Sequence, residues 1–343
     1  MFEAVVLVCL NAGEGPCRDV LLPGAEAETQ ADCMAQLPDV PEFSVGASLG
    51  SPTCRAVAQE LTLTEVAPGL WVHEGQIAEP DEENRGDVSN LAIVIGETSV
   101  AVIDSGSAAW MGEAAWRAIR QRTDLPVSHM ILTHLHPDHV FGADVFARAG
   151  AEVVAHEGLS RALMDRQDNY LESLSRLIGA QNMIGTRVPE VDNSLSDSVD
   201  IDLGERTLEL QAWPRAHTGT DLTVVDRATG TLIAGDLLFH GHTPALDGSL
   251  PGWQGALETL IRQPFVRAVP GHGAASLSWP DGAAPLERYL NRLATDTRNA
   301  VAGGERLGAA VGHIAESEAP NWQLFEAYNP RNATVAFTEL EWE

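Results

Sequence analysis

Apolar and polar positions along the chain predict short strands and helices in alternation. Leu61–Val66 and Leu70–His73 flank Pro68-Gly69 and predict paired strands around a turn. Leu91–Ile95 and Val100–Ile103 are β-branched runs, the second ending at Asp104-Ser105-Gly106. Beyond them the pattern predicts a helix over Ala109–Arg122, a buried strand over Met130–Thr133, a helix over Phe141–Arg148 and a strand over Val153–Ala155. Residues 158–185 carry Leu159, Leu163, Leu171, Leu174 and Ile178 at helical spacing. Strands return at Leu208–Ala212, Leu222–Val225 and Leu232–Ala234, with helices near 253–263 and 284–302. Hairpin pairs together with intervening helices predict an α/β protein with mixed sheets, not a purely parallel one.

The chain divides into three parts: residues 1–60, a main domain over 61–285, and 286–343, read as a helical extension with a final strand. The first part holds all four cysteines, Cys9, Cys17, Cys33 and Cys54. Their spacing lacks the short hook of a structural zinc ribbon, and an even number in a small segment points to two disulfides. Free thiols and metal ligation stay open, as do the three possible pairings. Disulfides imply an oxidising compartment, and the expected location is the periplasm, with the cytoplasm as the alternative. The apolar stretch Phe2 to Leu10 is a poor export signal, because it is short, contains Glu3 and has no basic residue before it. It fits equally well as the first strand of a small module.

Composition narrows the chemistry. The 343 residues carry 49 acidic and 21 basic side chains, a formal net charge of −28, and every basic residue is arginine. Without lysine there is no Schiff-base or lysine general-base catalysis. The acidic balance argues against nucleic acid as a partner. No window is long and apolar enough for a membrane span.

The densest chemistry lies in Thr133-His134-Leu135-His136-Pro137-Asp138-His139. His134 and His136 are two apart in extended chain, so both imidazoles face one way and can share a metal. Pro137 ends the extended segment, and the turn that follows aims Asp138 and His139 at a second, nearby point. Imidazole and carboxylate ligands suit zinc best, with iron or manganese as alternatives. His217, Asp236 and His272 each lie at a strand end beside glycine, where backbone can approach a metal closely. His73, His129 and His313 lack that context and read as structural or surface residues; His156 also ends a strand and reads as structural or as supporting the ligands from behind.

In that order, His134, His136, Asp138, His139, His217, Asp236 and His272 resemble the ligand set of the metallo-β-lactamase superfamily. The resemblance spans roughly residues 61–285 and implies an αββα sandwich with two zinc ions at one edge. It assigns His134, His136 and His217 to the first ion and Asp138, His139 and His272 to the second, with Asp236 bridging. Asp104 matches the acidic residue that supports the site from behind. An aspartate at 236, with every cysteine N-terminal, disfavours the lactamases that use a cysteine ligand. His136 disfavours the flavodiiron members. The segments Asn84-Arg85-Gly86-Asp87-Val88-Ser89-Asn90, Gly235-Asp236-Leu237-Leu238-Phe239, Leu246-Asp247-Gly248-Ser249-Leu250-Pro251-Gly252-Trp253 and Tyr328-Asn329-Pro330-Arg331-Asn332 through Trp342-Glu343 resemble the quinoprotein-relay or SoxH-like zinc metallohydrolases. That likeness implies a functional link to quinoprotein dehydrogenases, without a substrate.

The function so implied is hydrolysis of an ester, thioester, lactone or amide by a hydroxide held between two zinc ions, with Asp138 or Asp236 taking the proton. A residual positive charge at the metals suits a carbonyl-bearing or anionic small molecule. Arg85 and Arg215 are candidates for binding its acidic group, and His240 and His242 for reaching the pocket mouth. Residues 158–185, with Met164, Tyr170 and Met183, are a candidate lid. Competing readings are a non-hydrolytic metal-binding accessory protein of a redox system, motivated by the cysteine module, and a mono-iron sulfur dioxygenase.

Overall fold

Three antiparallel strands open the chain in a computed structural model that describes residues 1–342. They are β1 (Phe2–Cys9), β2 (Cys17–Ala27) and β3 (Ala47–Ala56), ordered β2-β1-β3, with helix α1 (Gln30–Met34) between the last two. Disulfides Cys9–Cys17 and Cys33–Cys54 staple this sheet. The apolar stretch at the N-terminus is its central strand. Glu3, which spoils that stretch as an export signal, is wholly buried and accepts hydrogen bonds from Arg117 Nε at 2.7 Å and Nη2 at 3.1 Å.

A seven-stranded sheet follows, ordered β10-β9-β8-β7-β6-β5-β4. Its strands are β4 (Thr64–Ala67), β5 (Leu70–His73), β6 (Leu91–Ile95), β7 (Val100–Ile103), β8 (Val127–Ile131), β9 (Glu152–His156) and β10 (Asn193–Leu195). Between them run α2 (Ala109–Arg120), α3 (Pro137–Val140), α4 (Asp144–Arg148), α5 (Leu159–Leu177) and α6 (Ala180–Met183). A six-stranded sheet holds β11 (Ser198–Asp202), β12 (Thr207–Ala212), β13 (Leu222–Asp226), β14 (Thr231–Phe239), β15 (Arg267–His272) and β16 (Leu277–Ser278) in sequence order. Helices α7 (Leu250–Ile261), α8 (Ala284–Ala302), α9 (Leu307–Ala310) and α10 (Phe325–Leu340) complete the chain.

Strand alternation assigns each side chain to a layer. Leu91, Ile93, Val100 and Val102 pack outward with Trp116 of α2 and Phe146 of α4. Their neighbours Ala92, Val94, Ala101 and Ile103 point inward, against Leu208, Leu210, Val224 and Ile233 of the other sheet. On the far side Leu232 and Ala234 meet Trp253, Tyr289 and Phe337 of α7, α8 and α10. The result is an αββα sandwich whose central strands are buried on both faces, while edge strands such as β4, β10 and β11 are largely exposed.

Two sequence expectations change. The C-terminal part ends in a helix, α10, and not in a strand; Ala333, Ala336, Phe337 and Leu340 repeat at helical spacing on its buried face. Glu343, the last residue of the quoted C-terminal motif, lies outside the described residues. The N-terminal sheet is also tied closely to the sandwich: besides Glu3–Arg117, Arg18 forks onto Glu113 at 2.9 Å on both nitrogens, and Trp116 Nε1 donates to Glu26 at 2.6 Å. No helix among the described residues is long and apolar enough to cross a membrane.

Candidate metal centre

The site lies where the two sheets meet at one edge. β8 ends at Ile131, before the expected Thr133, and the chain then bends at His134 and Leu135, where an extended segment was expected. Pro137 at the first helical position starts α3, placing Asp138 and His139 in its single turn. His217 lies in the β12–β13 connection, Asp236 within β14, and His272 at the end of β15. Asp236 thus stands inside a long strand, not at its end. Gly235, at φ +51°, interrupts that strand and turns Asp236 toward the other ligands. Gly271 of β15 passes so close that a Cβ there would lie 1.9 Å from Asp236 Oδ1.

The seven side chains converge in two groups, His134/His136/His217/Asp236 and Asp138/His139/His272, each with its ligand-type atoms within 4.8 Å of one another. In the first, His136 Nδ1 lies 3.1 Å from both His134 Nε2 and His217 Nε2, and these lie 3.5 and 3.3 Å from Asp236 Oδ2. In the second, Asp138 Oδ2 is 3.5 Å from His139 Nε2 and 3.4 Å from His272 Nε2. Asp236 reaches this group too, Oδ1 to His139 at 3.3 Å and Oδ2 to His272 at 3.4 Å. Ligands about 2.1 Å from a tetrahedral zinc ion sit about 3.4 Å apart, so these separations fit the edges of two coordination shells sharing Asp236.

The outward nitrogens decide which inward atoms are bare. His139 Nδ1 donates to Asp104 Oδ2 at 2.8 Å, His217 Nδ1 to the Ala245 carbonyl at 2.6 Å, and His272 Nδ1 to the Val88 carbonyl at 2.8 Å. His134 Nδ1 meets Thr133 Oγ1 at 3.0 Å, whose hydroxyl donates to Asp104 Oδ2 at 2.8 Å. His136 Nε2 faces Asp247 Oδ2 at 3.4 Å. With its outer nitrogen carrying the proton, each imidazole presents a lone pair inward. Two buried atoms there, His139 Nε2 and Asp236 Oδ1, face each other without hydrogen-bond geometry, and neither has a hydrogen-bond partner. A divalent cation satisfies both, so these residues fit a metal pair.

Electrostatics point the same way. Burial, reinforced by neighbouring imidazoles, holds His134 well below the usual histidine range, and burial takes His217 down to about 3. Both are neutral and ready to ligate. Burial also pushes His139 and His272 down, but the carboxylates of Asp236 and Asp138 outweigh it and raise both. The field that recruits protons there recruits cations equally. Asp104 supports the centre from beneath: at φ +60° it also accepts from the Thr133 backbone N–H at 2.9 Å.

Above the two groups opens a cavity of about 280 Å³, walled by Ala78, Pro80, Val88, Leu174, Phe239 and Ala245, with Tyr328 and Arg331 from α10. His242 is in this wall, packed between His272 (tilted) and Tyr328 (edge-on) at centroid distances of 4.9 and 4.8 Å. His240 is not: its backbone N–H bonds to the His272 carbonyl, and its side chain does not line the cavity. The two arginines expected to bind substrate lie elsewhere. Arg85 stacks on Trp110 at 4.2 Å in a polar cleft beside the N-terminal sheet, and Arg215 is exposed in a groove with Thr334 and Glu339. Of the candidate lid residues, Met164 is exposed and Met183 is buried in the core, while Tyr170 accepts from Arg166 at 3.2 Å.

Four residues at the site were not singled out from the sequence: Asp247, Arg166, Tyr328 and Arg331. Arg166 reaches from α5 to Asp247, the partner of His136. The lone signal was the position of Asp247, Tyr328 and Arg331 inside motif-like segments.

Solved structures share this architecture. A metallo-beta-lactamase from Pontibacter korlensis aligns at 19% identity and TM-score 0.55, over 68% of this chain and 99% of its own. A beta-lactamase domain protein from Burkholderia ambifaria aligns at 18% identity and TM-score 0.60, over 82% and 87%. The inverting sec-alkylsulfatase Pisa1 from Pseudomonas sp. aligns at 16% identity and TM-score 0.64, over 82% of this chain but half of its own. Residues 85–272, which span all seven convergent side chains, match the sequence profile of the metallo-beta-lactamase superfamily, and the chain belongs to that superfamily.

Proposed function

We propose that this protein is a binuclear zinc hydrolase acting on a small ester, thioester, lactone or amide. One observation carries the reading: seven bare, inward-facing donors divide into two shells that share Asp236 at tetrahedral spacing. Two zinc ions held there would supply Lewis-acid polarisation and a water acidified toward neutrality. The chain's own groups do the rest. Asp236, almost fully buried, ties the two shells together, while Asp138 is the more exposed of the two carboxylates and faces the cavity. Asp138 is therefore the group placed to accept and return a proton at the substrate. Apolar walls from Val88, Leu174 and Phe239 exclude bulk water around the reacting carbonyl.

The complete second shell, Asp138, His139 and His272 with Asp236, favours two ions over a mono-iron dioxygenase. All four cysteines are joined in disulfides, which favours a structural module over a sulfur carrier. Those disulfides suit an oxidising compartment such as the periplasm, and the SoxH-like motifs suit a place beside quinoprotein dehydrogenases. Elemental analysis of the purified chain is expected to give about two zinc ions per molecule, with hydrolysis of an ester and thioester panel. Zinc-loaded protein inert toward the whole panel, or a single iron in place of zinc, overturns the proposal.

A further inference from the structure

The cavity above the ligand cluster is small and lopsided. Ala78, Pro80, Val88, Leu174, Phe239 and Ala245 give it apolar walls, and the ligand carboxylates and imidazoles form its floor. Apart from histidines, its lining contains a single cationic side chain, Arg331 of α10. In an arginine-only chain where Arg18, Arg117, Arg166 and Arg206 are each bonded to a carboxylate, this one is not spoken for. The Arg331 guanidinium lies over the Tyr328 ring at 5.7 Å, and no carboxylate neutralises it among the described residues. The other basic candidate in the wall, His242, is buried, packs its ring against His272 and Tyr328, and turns Nδ1 to the Thr243 carbonyl.

We propose that Arg331 is the specificity determinant of this site, and that the substrate is a small acyl compound carrying a carboxylate a few carbons from the scissile carbonyl. This rests on the hydrolase reading above. The floor takes the carbonyl, the apolar walls take a short hydrocarbon spacer, and the guanidinium takes the carboxylate in a two-pronged contact at the mouth. A cavity of about 280 Å³ leaves no space for a long acyl chain or a second ring system. The anchor also offsets the surrounding field: the chain's net charge of −28 repels an anion in solution, and a cation at the cavity mouth adds to the positive charge of the floor in holding one.

Two measurements on the zinc-loaded full chain test this. In the first, kcat/KM is compared for the mono-p-nitrophenyl ester of glutaric acid and for p-nitrophenyl valerate, its neutral counterpart. The wild type is expected to prefer the glutarate ester by about tenfold or more, the size of one charge-assisted hydrogen bond. Arg331→Gln removes that preference through KM while leaving the valerate ester unchanged, and Arg331→Lys keeps part of it. In the second, calorimetry follows free glutarate and butyrate without any turnover. Arg331→Gln is expected to weaken glutarate about tenfold and leave butyrate unaffected. Equal effects on both ligands, or no effect on either, overturn the role of Arg331. Loss of turnover with Arg331-dependent glutarate binding intact sinks the hydrolase reading and leaves the anion anchor standing.

Discussion

Asp247 Oδ2 lies 3.4 Å from His136 Nε2, and the same oxygen accepts a hydrogen bond from Arg166 of α5. Burial alone would raise the Asp247 carboxyl, but His136 and Arg166 hold it below the usual carboxylate range, so it stays an anion across the working pH. His136 is the one histidine of its shell that turns Nδ1 inward, and Asp247 fixes that orientation. Asp247→Ala is therefore expected to weaken zinc binding at the first shell by about 10- to 100-fold, the usual cost of removing a carboxylate behind a ligating histidine. Competition with a chromophoric chelator measures it. Arg166→Ala, acting only through Asp247, should cost less. An unchanged zinc affinity in Asp247→Ala would mean that His136 needs no orienting partner.

The disulfides make a separate prediction about the module. Cys33 and Cys54 are buried in the core of the small sheet, and neither pair lines the cavity above the ligands. Closing a loop with a sequence separation of 21 removes roughly 3 kcal/mol of unfolded-chain entropy. The double variant Cys33→Ser/Cys54→Ser should unfold at a lower temperature by a comparable free energy, and the folded variant should keep full turnover. Loss of turnover in the folded protein, followed by circular dichroism and activity at one temperature, would give the cysteines a chemical role.

The convergence of 134–139 was legible because its side chains are local, although a bend at His134 and Leu135, and not an extended run, brings His134 and His136 together before Pro137 starts the turn. Asp236 and His272 were legible through glycine, since Gly235, Gly271 and Gly273 mark where backbone must come close; Gly219 beside His217 stands in open space and marks nothing. Asp247 and Arg331 were not. Each reaches the site from an element that tertiary packing alone brings over it, and an aspartate in a loop or an arginine on a helix carries no local mark of that. Arg85 and Arg215 misled for the converse reason: closeness in sequence to a ligand motif is not closeness in space. The expected final strand of 286–343 is absent: Thr334, Val335, Phe337 and Thr338 are β-formers, yet they lie in the helix Phe325–Leu340. Packing of Ala333, Ala336, Phe337 and Leu340 against α8 overrides that propensity. In the N-terminal part the cysteine count indicated bridges, but the pairing needed the strand register that sets Cys9 opposite Cys17.

His73 gives a pH dependence with a definite sign. Its Nδ1 faces the Thr62 carbonyl at 3.0 Å and its Nε2 faces Asp87 Oδ1 at 2.7 Å, so both nitrogens must donate and the ring is an imidazolium. Burial pulls it down, yet the hydrogen bond and charge of Asp87 prevail and the folded state raises it above 6.5. A raised folded value means that the stabilisation is complete below about 6.5, the unfolded value, and fades as pH climbs through the folded one. His73→Gln should thus destabilise the protein more at pH 6 than at pH 9, read as the difference in thermal midpoint from wild type at each pH. A penalty that grows with pH would overturn the assignment of the charge. The consequence reaches the site, because Asp87 opens the segment whose Val88 carbonyl holds His272 and whose Ser89 hydroxyl donates to the Asp138 carbonyl at 2.5 Å.

Gly271 tests the shared carboxylate directly. A Cβ there would lie 1.9 Å from Asp236 Oδ1, 2.8 Å from the Gly235 carbonyl carbon and 3.0 Å from the Asp236 nitrogen. Its own backbone is not in the left-handed region, so alanine is conformationally acceptable and the conflict is purely one of approach. The softest of the three neighbours is the carboxylate, and rotating it away removes a ligand from both shells at once. Rotating the carboxylate leaves the 2.8 Å approach to the Gly235 backbone, so Gly271→Ala should lose some stability and lose both zinc ions together, with affinity down by about tenfold or more, the equivalent of at least about 1.4 kcal/mol. Gly235→Ala is the contrast: its Cβ meets only the Thr133 side chain, and at φ +51° its cost is strain in the strand, so stability should fall more than zinc affinity. Zinc stoichiometry and thermal unfolding on the two variants separate the cases. If Gly271→Ala loses one ion and keeps the other tightly bound, Asp236 is not the ligand that joins the two shells.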